Sequence, residues 1–304
     1  VFRNGLDNEW LVRDFGDNGG AEVVFFGEPG IRDPNNREET APVQRDEPIN
    51  AVIIAGINEL GDGFFIPNAL VASPLADEGI DEFIITADVD FFEGYGLGGN
   101  DRWVFERDID SIFASGDGGQ DELRVTSTLE GAEIALTGGD DRDRMAVRAT
   151  DAAIVDVAGD GGRDSIRVTA PGAENVVVEG GDGADRIRVR AAAAISLLVS
   201  AGGGVDRVNV YAGDAGSVTV SGDSGRDRMY IQARNAALVQ VTGGDGSDRI
   251  RVRAFDADMV EVLGGDGRDR IDVRVGDDTD VEVDGEGDRD RISLNGQQQR
   301  RRGR

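Results

Sequence analysis

The chain has 304 residues, of which 45 are Gly and only 39% are hydrophobic, and this composition favours a repetitive architecture over a large globular core. It contains neither Cys nor His, which excludes disulfides, thiolate or histidine zinc sites, and Ser-His-Asp catalysis. The formal net charge is -28 and every basic residue is an Arg, so a nucleic-acid partner is unfavourable and bound cations or salt must offset the self-repulsion.

Residues 1–78 differ in amino-acid composition from the rest of the chain, because much of the Phe and Pro content lies here. We expect this region to form an N-terminal cap or degenerate coils. The Pro-rich stretch 28–50 cannot be a regular strand and predicts a long loop. Alternating apolar residues predict strands on either side of that loop, over 21–26 and 51–55.

A repeat of about 21 residues dominates the region 79–295. Because apolar residues keep fixed offsets within each unit, the period marks a repeat fold rather than a low-complexity tract. The equivalent aspartates are Asp81, Asp101, Asp121, Asp143, Asp164, Asp185, Asp206, Asp227, Asp248, Asp269 and Asp290.

Each repeat carries two short strand patterns separated by turns. In the unit that begins at Asp206, Val208 and Val210 alternate with polar residues, and Val218 and Val220 repeat the pattern after a turn. One unit cannot bury its own apolar face, so successive units must stack. We therefore predict an all-β, right-handed parallel β-solenoid with two stacked sheets and about 21 residues per coil. A three-sided β-helix is the alternative.

A Gly-Asp motif recurs at one of the two turns in each unit. Residues 180–188, 243–251 and 264–272 match every fixed position of the nonapeptide G-G-x-G-x-D-x-U-x. Looser copies occur at 138–143, 159–164 and 222–227. On these residues, and over about 76–295, the chain resembles the RTX family of calcium-binding β-rolls.

The resemblance implies several Ca²⁺ ions, each held between turns of adjacent coils by turn carbonyls and motif aspartates. Glycines suit such a turn because they adopt positive φ, and calcium accepts six to eight oxygens in a flexible geometry. The implied metal-site residues are Asp101, Asp121, Asp143, Asp164, Asp185, Asp206, Asp227, Asp248, Asp269, Asp290, Asp182, Asp245, Asp266, Gly181, Gly183, Gly244, Gly246, Gly265 and Gly267.

The chain departs from the usual family pattern in carrying the motif at only one turn per coil. We therefore expect a single column of ions along one edge, with none near Asp214, Asn235, Asp256 and Asp277. The alternative is that Gly and Asp are present only as good turn formers. Mutual repulsion between stacked carboxylates argues against that alternative.

Arginines follow the motif aspartates at positions that a strand turns to its outer face. They could bind an anionic surface, an acidic polysaccharide or the acidic edge of another copy, or they could simply be a solvated face that discourages aggregation. These residues are Arg144, Arg148, Arg167, Arg186, Arg188, Arg190, Arg207, Arg228, Arg249, Arg251, Arg253, Arg270, Arg274 and Arg291.

Two classes of function fit these features. The first is a non-catalytic, secreted or cell-surface structural or adhesive protein that calcium folds and that self-associates as a filament or lattice. The alternative is a carbohydrate-active β-helix protein, such as a calcium-dependent polysaccharide lyase. Uniform repeats favour the first class, because they show no specialised catalytic coil. No apolar run long enough to span a membrane is present, and the Arg-rich tail 296–304 is expected to be disordered.

Overall fold

The computed structural model describes the strand backbones 2–3, 9–14, 21–26, 52–54, 69–71 and 82–85, and then residues 91–96, 98–106, 108–295 and 297–299. Within this part of the chain every regular element is a β-strand and none is a helix. Consequently, none of its elements is an apolar helix of membrane-spanning length.

The first sheet is formed by the strands that follow the motif aspartates. It contains thirteen strands, and all neighbouring pairs are parallel except the last, at the C-terminal end. Its strands are Val52–Ile54, Glu82–Ile85, Arg102–Phe105, Glu122–Ser127, Arg144–Ala149, Ser165–Thr169, Arg186–Ala192, Arg207–Gly213, Arg228–Arg234, Arg249–Phe255, Arg270–Val275, Arg291–Leu294 and Gln297–Gln299.

The second sheet is formed by the strands in the later half of each coil. It contains fourteen strands, three of which are two-residue pieces within the motif turns. Its strands are Ala69–Val71, Phe91–Tyr95, Ser111–Ser115, Glu133–Gly139, Ile154–Gly162, Asn175–Glu179, Asp182–Gly183, Ser196–Ser200, Gly203–Gly204, Ser217–Ser221, Ser224–Gly225, Leu238–Gly246, Met259–Asp266 and Asp280–Asp284.

Successive coils stack in constant register. Ile187 lies beside Val208 in the first sheet, and Leu197 lies beside Val218 in the second sheet, so each residue meets its own equivalent one repeat away. The prediction of a two-sheet parallel β-solenoid with about 21 residues per coil is confirmed, and the chain forms about ten coils.

The core is a set of apolar columns between the two sheets. In the coil that begins at Asp206, Val208, Val210, Val218 and Val220 are at most 1% exposed, and their equivalents in neighbouring coils are also buried. Burial alternates residue by residue along each strand, as period-2 patterning predicts. The two apolar pairs that are visible in the sequence therefore face each other across the core.

Alanines fill the interior of the turn that joins the first sheet to the second, which we call the opposite turn. The residue before each alanine, such as Asp214 or Asn235, adopts positive φ. Asp and Asn tolerate this conformation better than most residues. The alanine methyl groups then point into the coil, and they are almost completely buried at Ala152, Ala173, Ala194, Ala215, Ala236 and Ala257.

The two ends of the solenoid differ from its middle. Phe2–Arg3, Glu9–Asp14 and Ala21–Phe26 form a separate antiparallel sheet, whereas Val52–Ile54 already pairs in parallel with the coil that follows. At the C-terminal end, the tail was expected to be disordered, but Gln297–Gln299 pair antiparallel with Arg291–Leu294. The predicted loop 28–50 lies outside the described residues.

Glycines in the motif turn allow the coils to approach each other. Gly246 has a φ of 133°, and a Cβ at this position would overlap the carbonyl oxygen of Gly225 in the previous coil. Gly213, at the end of a strand in the first sheet, has no heavy atom within 4 Å of such a Cβ.

We predict that Gly246→Ala lowers the free energy of unfolding by about 3 kcal/mol, because it combines positive-φ strain with a backbone clash. Gly213→Ala is the matched control and should change stability by less than about 1 kcal/mol. Chemical denaturation of both variants measures the difference. Equal stability of the two variants would show that the coils are not as closely stacked as described.

Candidate metal-binding turn

The motif turn has the backbone conformation that its glycines predict. Gly181 and Gly183 have φ of 89° and 140°, and the intervening Asp182 is exposed to solvent. The same alternation of a positive-φ glycine, an exposed aspartate and a second positive-φ glycine recurs at 244–246 and 265–267. The predicted glycine positions are therefore confirmed as left-handed turn residues.

The motif aspartates are buried in a column that runs through the motif turns. From Asp101 to Asp269 they are at most 3% exposed, and Asp290 at the end of the column is 8% exposed. From Asp121 to Asp290, Oδ1 accepts a hydrogen bond from the backbone N–H of the equivalent aspartate in the preceding coil. For example, Asp164 donates to Asp185 at 2.7 Å, and Asp185 donates to Asp206 at 2.7 Å.

In the middle of this column, the second carboxylate oxygen of each aspartate has no hydrogen-bond donor although it is buried. A buried acceptor without a donor is costly, because it has lost its hydration without compensation. Eight consecutive members of the column share this state: Asp121, Asp143, Asp164, Asp185, Asp206, Asp227, Asp248 and Asp269.

In seven of these eight coils the unpartnered Oδ2 lies beside the first glycine of its own turn, close to a carbonyl oxygen of the next coil; in the coil of Asp206 the equivalent residue is the buried Ala201. A Cβ on Gly138 would lie 2.7 Å from Asp143 Oδ2 and 2.8 Å from the Gly159 carbonyl oxygen. A Cβ on Gly264 would likewise lie 2.7 Å from Asp269 Oδ2 and 2.7 Å from the Gly285 carbonyl oxygen. Two oxygens thus converge on one small buried space in each of the seven coils that have this glycine.

Burial shifts the titration of these carboxyl groups towards neutrality. Desolvation raises the pKa of Asp121 to about 8 and that of Asp164 and Asp248 to about 7, although the backbone N–H bond to each group lowers it in part. Neighbouring aspartates raise these pKa values further, because the charges in the column repel one another. The column therefore favours either protons or bound cations.

Nearby arginines do not neutralise the column. Arg186, one residue after Asp185, is exposed, because the strand turns it to the outer face as predicted. Within the described residues, no three carboxylate, histidine or cysteine side chains group together as a metal site. A cation in the motif turn would therefore take much of its coordination from backbone carbonyls, which are hard oxygen ligands of the kind that calcium accepts.

The structure separates the predicted site residues into two groups. The motif aspartates and the positive-φ glycines lie in the turns, whereas the side chains of Asp182, Asp245 and Asp266 are exposed and apart from the buried column. Sequence reasoning missed the glycine that opens most of these turns, although its position in the motif was a usable signal. It also missed Asp223, which accepts hydrogen bonds from Ser200 and Ser221 in the motif turns.

Fold and turn together define the class of protein: a parallel β-solenoid with a single buried aspartate column along one edge. The chain was compared with family models, curated proteins and solved structures, and no match was found in any of the three.

The raised pKa values predict how the cation-free protein responds to pH. Because the folded-state pKa values exceed the unfolded value of 3.8, the folded state binds more protons than the unfolded state between about pH 4 and 8. Stability in chelator should therefore fall as pH rises through 6 to 8, with a melting temperature about 5 °C or more higher at pH 5 than at pH 8.

The matched variant for this measurement is Asp164→Asn/Asp248→Asn, which removes two of the raised carboxyl groups and should flatten the slope. Thermal unfolding followed by circular dichroism in chelator measures both proteins. A melting temperature that increases with pH in chelator would contradict the burial of the aspartate column.

Proposed function

We propose that this protein is a calcium-binding structural or adhesive β-solenoid of the cell surface or extracellular space, and that calcium drives its folding. The observation that supports this proposal is the column of eight buried aspartates whose Oδ2 atoms lack a hydrogen-bond donor. Binding of cations to the folded state alone would stabilise it by mass action. The resemblance of the motif to RTX repeats points to the same ion.

The residues that would hold calcium are the motif aspartates from Asp121 to Asp290 together with carbonyl oxygens of the turn glycines. Calcium would supply positive charge to a column that is otherwise purely acidic. Its tolerance of irregular oxygen geometry suits backbone carbonyls better than the strict octahedron of magnesium does. With neither His nor Cys in the chain, zinc has no nitrogen or sulfur ligands.

We propose that the ions lie in a single column. The motif turn contains inward carboxylates, whereas the interior of the opposite turn is occupied by methyl groups such as those of Ala194 and Ala215. A methyl group offers no oxygen ligand and takes the space that an ion would need. The acidic residues of the opposite turn, such as Asp214 and Asp256, are exposed instead of converging inwards.

A non-catalytic role is supported by the uniformity of the coils. The motif aspartates from Asp143 to Asp290 are separated by a constant 21 residues, which leaves no long inter-coil loop to form the wall of a substrate groove. A rod of this kind suits a surface layer, a filament or a module of a larger secreted protein. Backbone groups at the ends of the sheets would support end-to-end association with another copy.

An extracellular location fits the expected strength of calcium binding. Extracellular calcium modules bind the ion with dissociation constants on the order of 10⁻⁴–10⁻³ M, which external calcium satisfies. The acidic surface, with a net charge of -28, is also compatible with a calcium-rich environment that screens self-repulsion.

We predict that Asp185→Asn affects stability in opposite directions with and without calcium. In saturating calcium the variant loses a ligand, and the free energy of unfolding should fall by about 2–3 kcal/mol. In chelator it loses a buried charge while it keeps the Oδ1 acceptor, so stability should stay equal or rise. Circular dichroism melts of the full chain under both conditions measure this reversal.

The matched control is Asp256→Asn in the opposite turn, which removes the same charge from an exposed site and keeps a residue that tolerates positive φ. It should be nearly neutral under both conditions. If the wild-type β signal and melting temperature are the same in calcium and in chelator, the motif aspartates are turn formers and the calcium proposal is wrong.

We predict that ions occupy one edge of the solenoid only. Anomalous scattering from crystals grown in calcium should show peaks in single file beside Asp143 to Asp290, because only that edge has inward oxygens. The opposite edge, near Asp214, Asn235 and Asp277, should show none. Peaks of equal height along both edges would contradict the single-column proposal.

A further inference from the structure

The two outer faces of the solenoid differ sharply in charge. Between residues 144 and 294, the outward positions of the first sheet carry fifteen arginines and one acidic residue, Asp272. The strands of the second sheet between 133 and 284 contain no basic residue at all. A protein with a net charge of -28 therefore concentrates positive charge on one flat surface, which we call the arginine face.

Six arginines of this face form an uninterrupted ladder along the solenoid axis. Each is in direct register with the next, at a spacing of about 4.8 Å between parallel strands. Like charges placed directly opposite each other destabilise a sheet. Among the described residues, none of the six forms an ion pair, and the face has only the Arg251–Asp272 pair at 3.3 Å between these strands. The ladder is Arg186, Arg207, Arg228, Arg249, Arg270 and Arg291.

Two tyrosines organise further arginines beside the ladder. The Arg190 guanidinium lies 5.5 Å from the centre of the Tyr211 ring, and that of Arg253 lies 5.8 Å from the Tyr230 ring. The two rings pack edge to face, with centroids 5.9 Å apart. Such cation–π contacts restrict the guanidinium groups before any ligand binds, which reduces the entropy cost of binding.

The tyrosine cluster borders an open depression of about 390 Å³ at the side of the arginine face. Its lining combines charged, aromatic and amide side chains with small residues. The lining includes Thr169, Pro171, Arg190, Tyr211, Gln232 and Arg234.

We propose that the arginine face binds an acidic polysaccharide along the solenoid axis, with carboxylate or sulfate groups of the sugars paired to arginines of successive coils. A repeating ligand matches a repeating surface, and guanidinium groups bind such anions through paired hydrogen bonds. Bound anions would also relieve the repulsion within the ladder. This inference requires the fold but does not depend on calcium binding.

A second copy of the chain fits the arginine face less well. In a face-to-face contact the surface it would present is its second sheet, and in the three central strands from 175 to 221 the only outward acidic residue is Glu179. The other outward positions there are Ser, Thr, Asn, Val or Leu. Such a surface would desolvate the arginines without supplying one negative charge per coil.

Nucleic acid also fits less well. Guanidinium groups already lie over Tyr211 and Tyr230, and the two rings pack against each other, so the tyrosines do not offer open faces for base stacking. In duplex DNA, each strand winds around the helix axis and carries one phosphate per about 3.4 Å of that axis, which does not match a straight ladder with a spacing of about 4.8 Å.

Binding of a short galacturonate oligomer and of a sulfated dextran to the full chain tests the proposal, with neutral dextran as the control ligand. Calorimetric titrations at fixed salt and fixed calcium, with folding checked by circular dichroism, give the dissociation constants. We expect binding to at least one acidic glycan, weakening with salt, and the preferred glycan identifies carboxylate or sulfate as the recognised group.

The ladder variant Arg207→Gln/Arg228→Gln/Arg249→Gln should weaken binding about tenfold or more, because it removes three adjacent charge-assisted contacts. The matched control is Arg163→Gln/Arg226→Gln/Arg268→Gln, which removes the same charge from exposed positions in the motif turns. It should change the dissociation constant by less than about twofold.

Four outcomes would overturn the proposal. Absence of binding to either acidic glycan at low salt would leave the arginine face as a solvated surface. If the two triple variants weakened glycan binding equally, the loss of affinity would come from the change in net charge and not from the position of the arginines. Tighter binding of a single-stranded oligonucleotide than of either glycan, or loss of self-association only in the ladder variant, would assign the face to nucleic acid or to a second copy. Because glycan binding is measured on protein shown to be folded, its result is independent of whether calcium drives folding. A failure of the calcium proposal can therefore be told apart from a failure of the glycan proposal.

Discussion

The hydrogen bond from each motif aspartate's N–H to the carboxylate of the next coil is the interaction on which the rest of the solenoid depends. It draws an acidic side chain into the interior of every turn and fixes its Oδ1, which leaves Oδ2 directed at a space without donors. One backbone contact therefore sets the coil register and also creates the negative column. The apolar columns between the two sheets add burial energy.

That column links stability to solution conditions. A carboxylate such as Asp164, buried and beside equivalent groups in both neighbouring coils, is most stable when a proton or a cation reduces its charge. The interior of the motif turn is therefore acidic by construction, whereas the alanine-filled interior of the opposite turn is indifferent to ions. At both edges of a coil the backbone reverses direction, but the motif turn does so around buried carboxylates and the opposite turn around alanine methyl groups.

Much of this architecture could be predicted from the sequence because the repeat is regular. The spacing of Asp185, Asp206 and Asp227 gave the coil length, and alternation of residues such as Val208 and Val210 gave the two sheets. Gly183 could be assigned a positive φ from the motif alone, and the structure confirms it.

Other features depend on atomic placement that sequence patterns do not contain. Which oxygen of Asp185 accepts the N–H of Asp164 is a matter of side-chain rotation, so the unpartnered Oδ2 could not be foreseen. The run Gln297–Gln299 lacks the apolar alternation of a strand, so its pairing could not be foreseen either. These features follow from the space that neighbouring coils leave.

The constant register of the coils has a consequence for how such a protein can change in length. Each coil contacts only its two neighbours, and every interface joins a residue to its equivalent one repeat away. Duplication or deletion of a whole repeat would therefore preserve every type of contact while it changes the rod by about 4.8 Å. The length of such a solenoid can therefore change by whole coils while its cross-section stays the same.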